Sequence, residues 1–282
     1  MIVRARGLTA GLAFLTCASV AHAQPARVTE TEVYAVRYGT LHNFPTAGLL
    51  AGADTSRRSD ITLSVWLIRQ PDGHNVLLDA GFYREKFITR WKPADYQKPS
   101  DAIGALGLGP DDITDIVISH VHWDHLDGAD LFPKARIWLQ RAEYEHYVDS
   151  TGRALDRTID SLDAAMLHRM RLAGRIQLIE GDSQPVLTGI TVYTGGKHTF
   201  ASEFVSVTTA AGLVVLASDN AYLYENLATQ TPIAQTLDPA SNRAAQARML
   251  KLAGGVRLVI PGHDPAVYER FPAPGHGIAR IR

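Results

Sequence analysis

His120-Val121-His122-Trp123-Asp124-His125 is the stretch on which the reading of this chain turns. Three imidazoles and one carboxylate fall within it, directly after residues 113–119, a short apolar run that reads as a buried strand. A strand end leading into a loop is a usual place for functional side chains, because a rigid element aims a mobile segment. Imidazole and carboxylate donors together suit zinc, iron, manganese or cobalt rather than calcium. His120 and His122 alternate with Val121 and can point the same way, whereas Asp124 and His125 lie past the turn and can face a second ion. Four donors this close do not readily serve one ion, which argues for two. A polar surface loop with chance histidines is the plain alternative, and four ligand-type residues at this spacing weigh against it.

Outward from this cluster, residues 28–38 and 61–69 carry strand-like apolar and β-branched content, and the Gly-, Ala- and polar-rich segment between them reads as a loop. Residues 75–79 follow the turn Pro71-Asp72-Gly73, which suggests a hairpin. Residues 136–139, 175–179, 190–193, 204–209, 213–217 and 257–260 read as further strands. Residues 101–108, 141–148, 156–173 and 242–252 have helical character. Strands come in a run, then mix with helices, then repeat, which suits an α/β layered domain with sheets inside and helices outside. No linker or internal repeat interrupts residues 24–282, which read as a single domain. Arg153, Arg157, Arg169, Arg171 and Arg175 are expected to form a solvated helical face.

The 282 residues are 46% hydrophobic and 20% charged, with a formal net charge of -1. No basic stripe with interleaved aromatics appears, so nucleic acid is not an expected partner. The N-terminus reads as a signal peptide over residues 1–23: Arg4 and Arg6 give a positive start, residues 8–20 are apolar or small, and Ala21-His22-Ala23 fits the small-x-small cleavage pattern before Gln24. The run falls short of the about 20 residues of a membrane span, so no stable span is expected after cleavage. The expected location is the periplasm or the exterior. A lipoprotein reading would need a modified Cys17, and Thr16 before it fits such signals poorly. Cleavage would remove two Arg and no acid, giving -1 - 2 = -3, together with Cys17, the only cysteine. The mature chain would then have no disulfide, no thiol nucleophile and no cysteine ligand.

The H-x-H-x-D-H pattern resembles that of the metallo-β-lactamase superfamily, whose further ligands are a later His, an Asp and a final His. Here His198 follows a strand and Gly195-Gly196, Asp219 follows the apolar strand 213–218, and His263 follows Leu258-Val259-Ile260 through Pro261-Gly262. The resemblance implies an αββα sandwich of two mixed sheets with helices on the outer faces. It implies two divalent transition-metal ions, zinc foremost, with iron, cobalt or manganese as options. One would be held by His120, His122 and His198, the other by Asp124, His125 and His263, with Asp219 bridging them. Asp79, in Leu78-Asp79-Ala80-Gly81, matches the family's D-x-G turn and would accept a hydrogen bond from a ligand imidazole, fixing its tautomer. A plain turn aspartate is the other reading.

Tyr222 sits three residues after Asp219, and in this the chain is similar to the N-acyl homoserine lactonases of the superfamily, from about Val33 to Phe271. The resemblance implies a hydrolase that opens the ester of a small lactone by attack of a metal-bridging hydroxide. Tyr222 would support the developing oxyanion, and Asp124 or Tyr222 would deliver the proton. Three alternatives stand beside it: another hydrolase of the fold acting on β-lactams, thioesters, phosphodiesters or sulfate esters; a one-iron persulfide dioxygenase; and a non-catalytic metal-binding protein. A homodimer is a further option. Around the third His the lactonase T-P-G-H becomes Gly195-Gly196-Lys197-His198, so Lys197 adds a cation beside a ligand, for an anionic substrate group or for solvent. Trp66, Trp123, Phe44 and Phe82 are candidates for an apolar pocket, with core packing the usual fate of any one aromatic.

Overall fold

Along the strand Arg58–Arg69, alternate residues enter two different cores. Val65 and Leu67 join one buried cluster, Trp66 and Ile68 the other, so this strand is covered on both faces. The computed structural model describes residues 2, 27–273 and 275–282. The expected leader, residues 1–23, lies outside them apart from Ile2.

The elements run β1 (Glu32–Pro45), β2 (Arg58–Arg69), β3 (Asn75–Leu78), α1 (Glu85–Trp91), α2 (Pro99–Ala102), β4 (Asp115–Val117), α3 (Trp123–Leu126), β5 (Arg136–Gln140), α4 (Arg141–Tyr147), α5 (Ser161–Leu172), β6 (Ile176–Ile179), β7 (Gln184–Leu187), β8 (Ile190–Thr194), β9 (Glu203–Thr209), β10 (Gly212–Ser218), α6 (Tyr224–Thr229), α7 (Pro239–Ala253), β11 (Val259–Pro261), α8 (Ala266–Arg270) and β12 (Ile278–Arg280). They make a seven-stranded sheet ordered β12-β1-β2-β3-β4-β5-β6 and a five-stranded sheet ordered β11-β10-β9-β8-β7. Both are mixed. β3 through β6 are parallel neighbours, as are β10 and β11, and the other pairs are antiparallel. Val33, Trp66 and Leu78 of the larger sheet share a core with Val192, Phe204 and Leu216 of the smaller one. The opposite face of the larger sheet, with Val36, Val65 and Ile116, packs on Ala164 and Leu167 of α5. Met249 of α7 joins the core of the smaller sheet. This is the expected αββα sandwich.

Local differences from the sequence reading have plain causes. β1 does not stop at Tyr38, because Gly39, Thr40 and Leu41 pair with Leu63, Thr62 and Ile61. Register shifts between Arg37 and Gly39, and between Leu41 and Phe44, break the period-two pattern that marks a strand. α5 begins at Ser161 rather than residue 156, because the Asp160 side chain accepts from Leu162 N and caps it there. Of the five arginines expected on one helical face, only Arg169 and Arg171 lie in α5. Arg175 donates instead to the carbonyls of Phe132 and Ala135. Among the described residues, no helix is long and apolar enough to cross a membrane.

Candidate metal centre

Parallel pairing brings the functional loops together. β3 lies beside β4, with Leu78 opposite Val117, so the turn carrying Asp79 sits next to the segment carrying His120. β10 lies beside β11, with Ser218 opposite Pro261, so Asp219 and His263 leave adjacent strand ends. Space is tight there: a Cβ on Gly262 would stand 2.8 Å from Ser218 O and 3.0 Å from Asp219 Oδ1. Only glycine lets the two strand ends approach this closely.

All seven sequence-derived ligand candidates meet in one place, in two groups. His120, His122, His198 and Asp219 form the first, and Asp124, His125 and His263 the second. In the first, His122 Nδ1 lies 3.0 Å from His120 Nε2 and 2.9 Å from His198 Nε2, and His198 Nε2 lies 3.2 Å from Asp219 Oδ2. In the second, the other Asp219 oxygen, Oδ1, lies 3.2 Å from His125 Nε2 and 3.0 Å from His263 Nε2. Asp124 Oδ2 is 3.6 Å from His125 Nε2 and 4.0 Å from His263 Nε2. Asp124 and His125 ride on the short helix α3 rather than on a loop.

Do these donors fit a cation? The far nitrogen of each ring gives the answer. His198 Nδ1 donates to Gln235 O at 2.6 Å, and His263 Nδ1 to Thr62 O at 2.9 Å. A carbonyl can only accept, so in the neutral rings both Nε2 atoms carry lone pairs aimed inward. His125 Nδ1 is fixed in the same way on Asp79 Oδ2 at 2.8 Å, and His120 Nδ1 contacts Ser119 Oγ at 2.9 Å. His125 Nε2 and Asp219 Oδ1 are buried and make no hydrogen bond, although they face each other. Opposed acceptors in a buried site are costly without a positive charge between them. The donor set therefore fits a divalent transition metal.

The electrostatics favour neutral rings in the first group and a positive charge against Asp219 in the second. Burial, then the imidazoles of His125, His198 and His122, hold His120 well below its ordinary value. Burial and His198 push His122 down to about 3. Both are thus in the neutral, ligating form at pH 7. Burial would also lower His125 and His263, but Asp219 and Asp124 outweigh it and raise them. Burial would raise the Asp219 carboxyl, yet His125 and His263 hold it well below the carboxylate range.

Asp79 is fully buried beneath His125. Its Oδ1 accepts from Ser119 N at 2.8 Å, and its Oδ2 from Ser119 Oγ at 3.0 Å, Ser218 Oγ at 2.8 Å and His125 Nδ1. Asp79 and Ser218 both have left-handed backbones, with φ of 62° and 45°. Such conformations collect at sites whose surroundings enforce them. Tyr222 is buried, with Oη 3.5 Å from His198 Nδ1.

Residues 62–263 match the family model of the metallo-beta-lactamase superfamily. The chain belongs to that superfamily. Within it, the chain is 29% identical over 161 residues to an N-acyl homoserine lactonase of Bacillus cereus, covering 57% of this chain and 59% of the relative. It is 26% identical over 267 residues to the N-acyl homoserine lactonase AttM of Rhizobium johnstonii, covering 86% of this chain and 97% of the relative. Among solved structures, an N-acyl homoserine lactone hydrolase with N-hexanoyl-L-homoserine at its catalytic metal centre superposes with a TM-score of 0.70 at 20% identity, covering 86% of this chain and 96% of that one. AidC, a dizinc quorum-quenching lactonase, superposes at 0.63 with 15% identity, covering 90% and 95%. These structures share the metallo-beta-lactamase fold.

In this superfamily member, a cleft of about 580 Å³, open mouth included, leads to the ligand atoms. His122, Asp124, Asp219, Tyr222 and His263 form its polar floor. Its apolar wall includes Phe44, Trp91 and Trp123, whose rings stack in series: Phe44–Trp91 at 6.3 Å and Trp91–Trp123 at 5.4 Å. Of the four aromatics singled out in the sequence, Phe44 and Trp123 reach the cleft. Trp66 lies in the core between the sheets, and Phe82 backs Trp123 from behind at 4.7 Å. Trp91 and Gln235 escaped the sequence reading, because neither stands in a motif. Lys197 Nζ donates to Phe200 O at 3.0 Å and sits 4.8 Å over the Phe200 ring, so its cation is turned to its own loop and not to the cleft.

Proposed function

We propose that this protein is a dinuclear metal-dependent hydrolase, acting on small lactones of the N-acyl homoserine lactone type. One observation carries the reading: the two oxygens of Asp219 face different histidine groups, Oδ2 toward His198 and Oδ1 toward His125 and His263. A carboxylate so placed can serve two cations at once. Cations bound there, zinc foremost, would supply Lewis acidity and a water acidified to ionise near neutral pH.

The chain's own residues account for the rest. The Phe44–Trp91–Trp123 wall suits an apolar acyl group, and the polar floor suits the ester. Water adds to the lactone carbonyl carbon and gives up a proton to the Asp124 carboxylate, the ring C–O bond breaks, and the departing ring oxygen takes a proton either from Asp124 itself or from the Tyr222 phenol, which Asp124 then reprotonates. Burial, with Asp219 and Asp124 nearby, raises the Tyr222 phenol well above its ordinary value, so it stays a neutral donor.

Tyr222→Phe should keep both metals and lower lactone kcat by on the order of tenfold. One oxyanion donor alone can be worth about 10²–10³, but here the cations share the task. The alkaline limb of the wild-type rate profile should not come from this phenol, given the direction of its shift. Metal content and lactone kinetics on the same preparations test this, beside a panel of β-lactam, thioester, phosphodiester and sulfate-ester substrates. Unchanged kcat in the fully loaded variant removes Tyr222 from the mechanism, and a preference for another ester class removes the lactone.

We further propose export, with residues 24–282 as a single mature domain. N-terminal sequencing of protein from the periplasmic or secreted fraction should begin at or near Gln24. An intact Met1 in a cytoplasmic fraction refutes it.

A further inference from the structure

Helix α4 carries a carboxylate that the proposed chemistry does not use. Glu143 is fully buried, on a helix that contributes no ligand. Its Oε1 accepts from Val121 N at 3.2 Å and from Thr199 Oγ1 at 2.5 Å, and its Oε2 accepts from Ala201 N at 2.6 Å. Val121 is the residue between His120 and His122, and Thr199 directly follows His198. One carboxylate thus ties together the two segments that supply all three imidazoles of the first group.

The same helix face continues the grip. Tyr147, one turn on from Glu143, accepts from Phe200 N at 3.1 Å, and His146 stacks on the Phe200 ring at 3.9 Å and 2°. The loop at 199–201 is therefore held from one side by α4. No comparable tie from Glu143 reaches Asp124, His125 or His263.

We propose that Glu143 is a positioning residue for the first ligand group, setting the His122–His198 spacing of 2.9 Å on which cation capture there depends. This rests on the reading that the group holds a metal. A carboxylate has no donor of its own and takes all three N–H and O–H groups at once. Glutamine would turn one of its atoms into a donor facing Val121 N, Thr199 Oγ1 or Ala201 N. Because the segments are pulled by one side chain, losing it shifts them relative to each other, not merely one of them.

The test is cobalt affinity by competition with a chromophoric chelator, in two backgrounds. His263→Ala leaves the first group intact, and His122→Ala leaves the second. Glu143→Gln should weaken cobalt about 10- to 100-fold in the first background, the usual effect of losing a partner that orients ligands, and less than threefold in the second. Thr199→Val, which removes one of the three donors and keeps the shape, should weaken only the first group by a smaller factor. It also decides the matter if Glu143→Gln does not fold. Melting of the metal-free proteins is followed alongside. Equal weakening of both groups, or unchanged affinity at the first in a folded variant of either kind, overturns the proposal. Failure of the parent His263→Ala protein to bind cobalt at all overturns the metal reading itself, a different result.

Discussion

Asp219→Ala should lower lactone kcat/KM by at least about a thousandfold, which is about 4 kcal/mol of barrier, and should strip the protein of both ions together. No other candidate ligand offers one oxygen to each group, so this is the single substitution that damages both. Its fold should survive. Asp219 is buried and its Oδ1 makes no hydrogen bond, and because Asp219 is the main group that raises His125 and His263, burial returns both rings toward the neutral form once it is gone. Removing it relieves a buried charge as much as it removes a partner. Metal analysis and melting of the chelated protein measure the two halves of the claim separately. Retention of two ions, with kcat/KM within tenfold of the parent, would end the bridging role.

Asp79→Ala should cost about 3–5 kcal/mol of stability even without metal, because breaking a buried, multiply bonded charge leaves its partners unpaired. Those partners are Ser119 N and Oγ, Ser218 Oγ and His125 Nδ1. Alanine also tolerates the left-handed φ of 62° less well than the native aspartate. Asp79→Asn separates the two effects. Asparagine accepts that backbone and keeps Oδ1, but sets an amide against the hydrogens now held by Oδ2. It should lose less stability than alanine and weaken the second group's cation by about 10- to 100-fold, through a misplaced His125 tautomer. Denaturant unfolding of the metal-free proteins and metal competition give the two numbers. A metal-free Asp79→Ala protein within about 1 kcal/mol of the parent removes Asp79 from its structural role.

Legibility in the sequence followed locality. His120 to His125 could be read because their spacing is short and the apolar run before them marks a strand. His198, Asp219 and His263 needed the family resemblance, since no local pattern ties residues so far apart. Asp79 could be placed only by its D-x-G turn. Trp91 and Glu143 carried no signal: each sits on a short helix among ordinary helix-compatible residues, and only tertiary packing turns one toward the cleft and buries the other. β7 and β12 were missed for a related reason. They are strands of four and three residues, and pairing rather than their own composition makes them strands. The extension of β1 to Pro45 hid behind two register shifts that erase the alternation of a regular strand.

The distribution of the ligands over the two sheets bears on how the protein comes apart. His120, His122, Asp124 and His125 follow β4 in the larger sheet, whereas His198, Asp219 and His263 follow β8, β10 and β11 in the smaller. Neither group is complete within one sheet. An isolated half of the sandwich can offer a cation only a fragment of its coordination, and pairings this distant in sequence form late on the folding route. A cation bound there would act as a rivet between the sheets. It would favour the docked state by mass action, and to the extent that docking is absent from the transition state it would slow unfolding rather than hasten folding. The lifetime of the folded protein would then become a function of free metal concentration, with the seam between the sheets the place where a chelator acts.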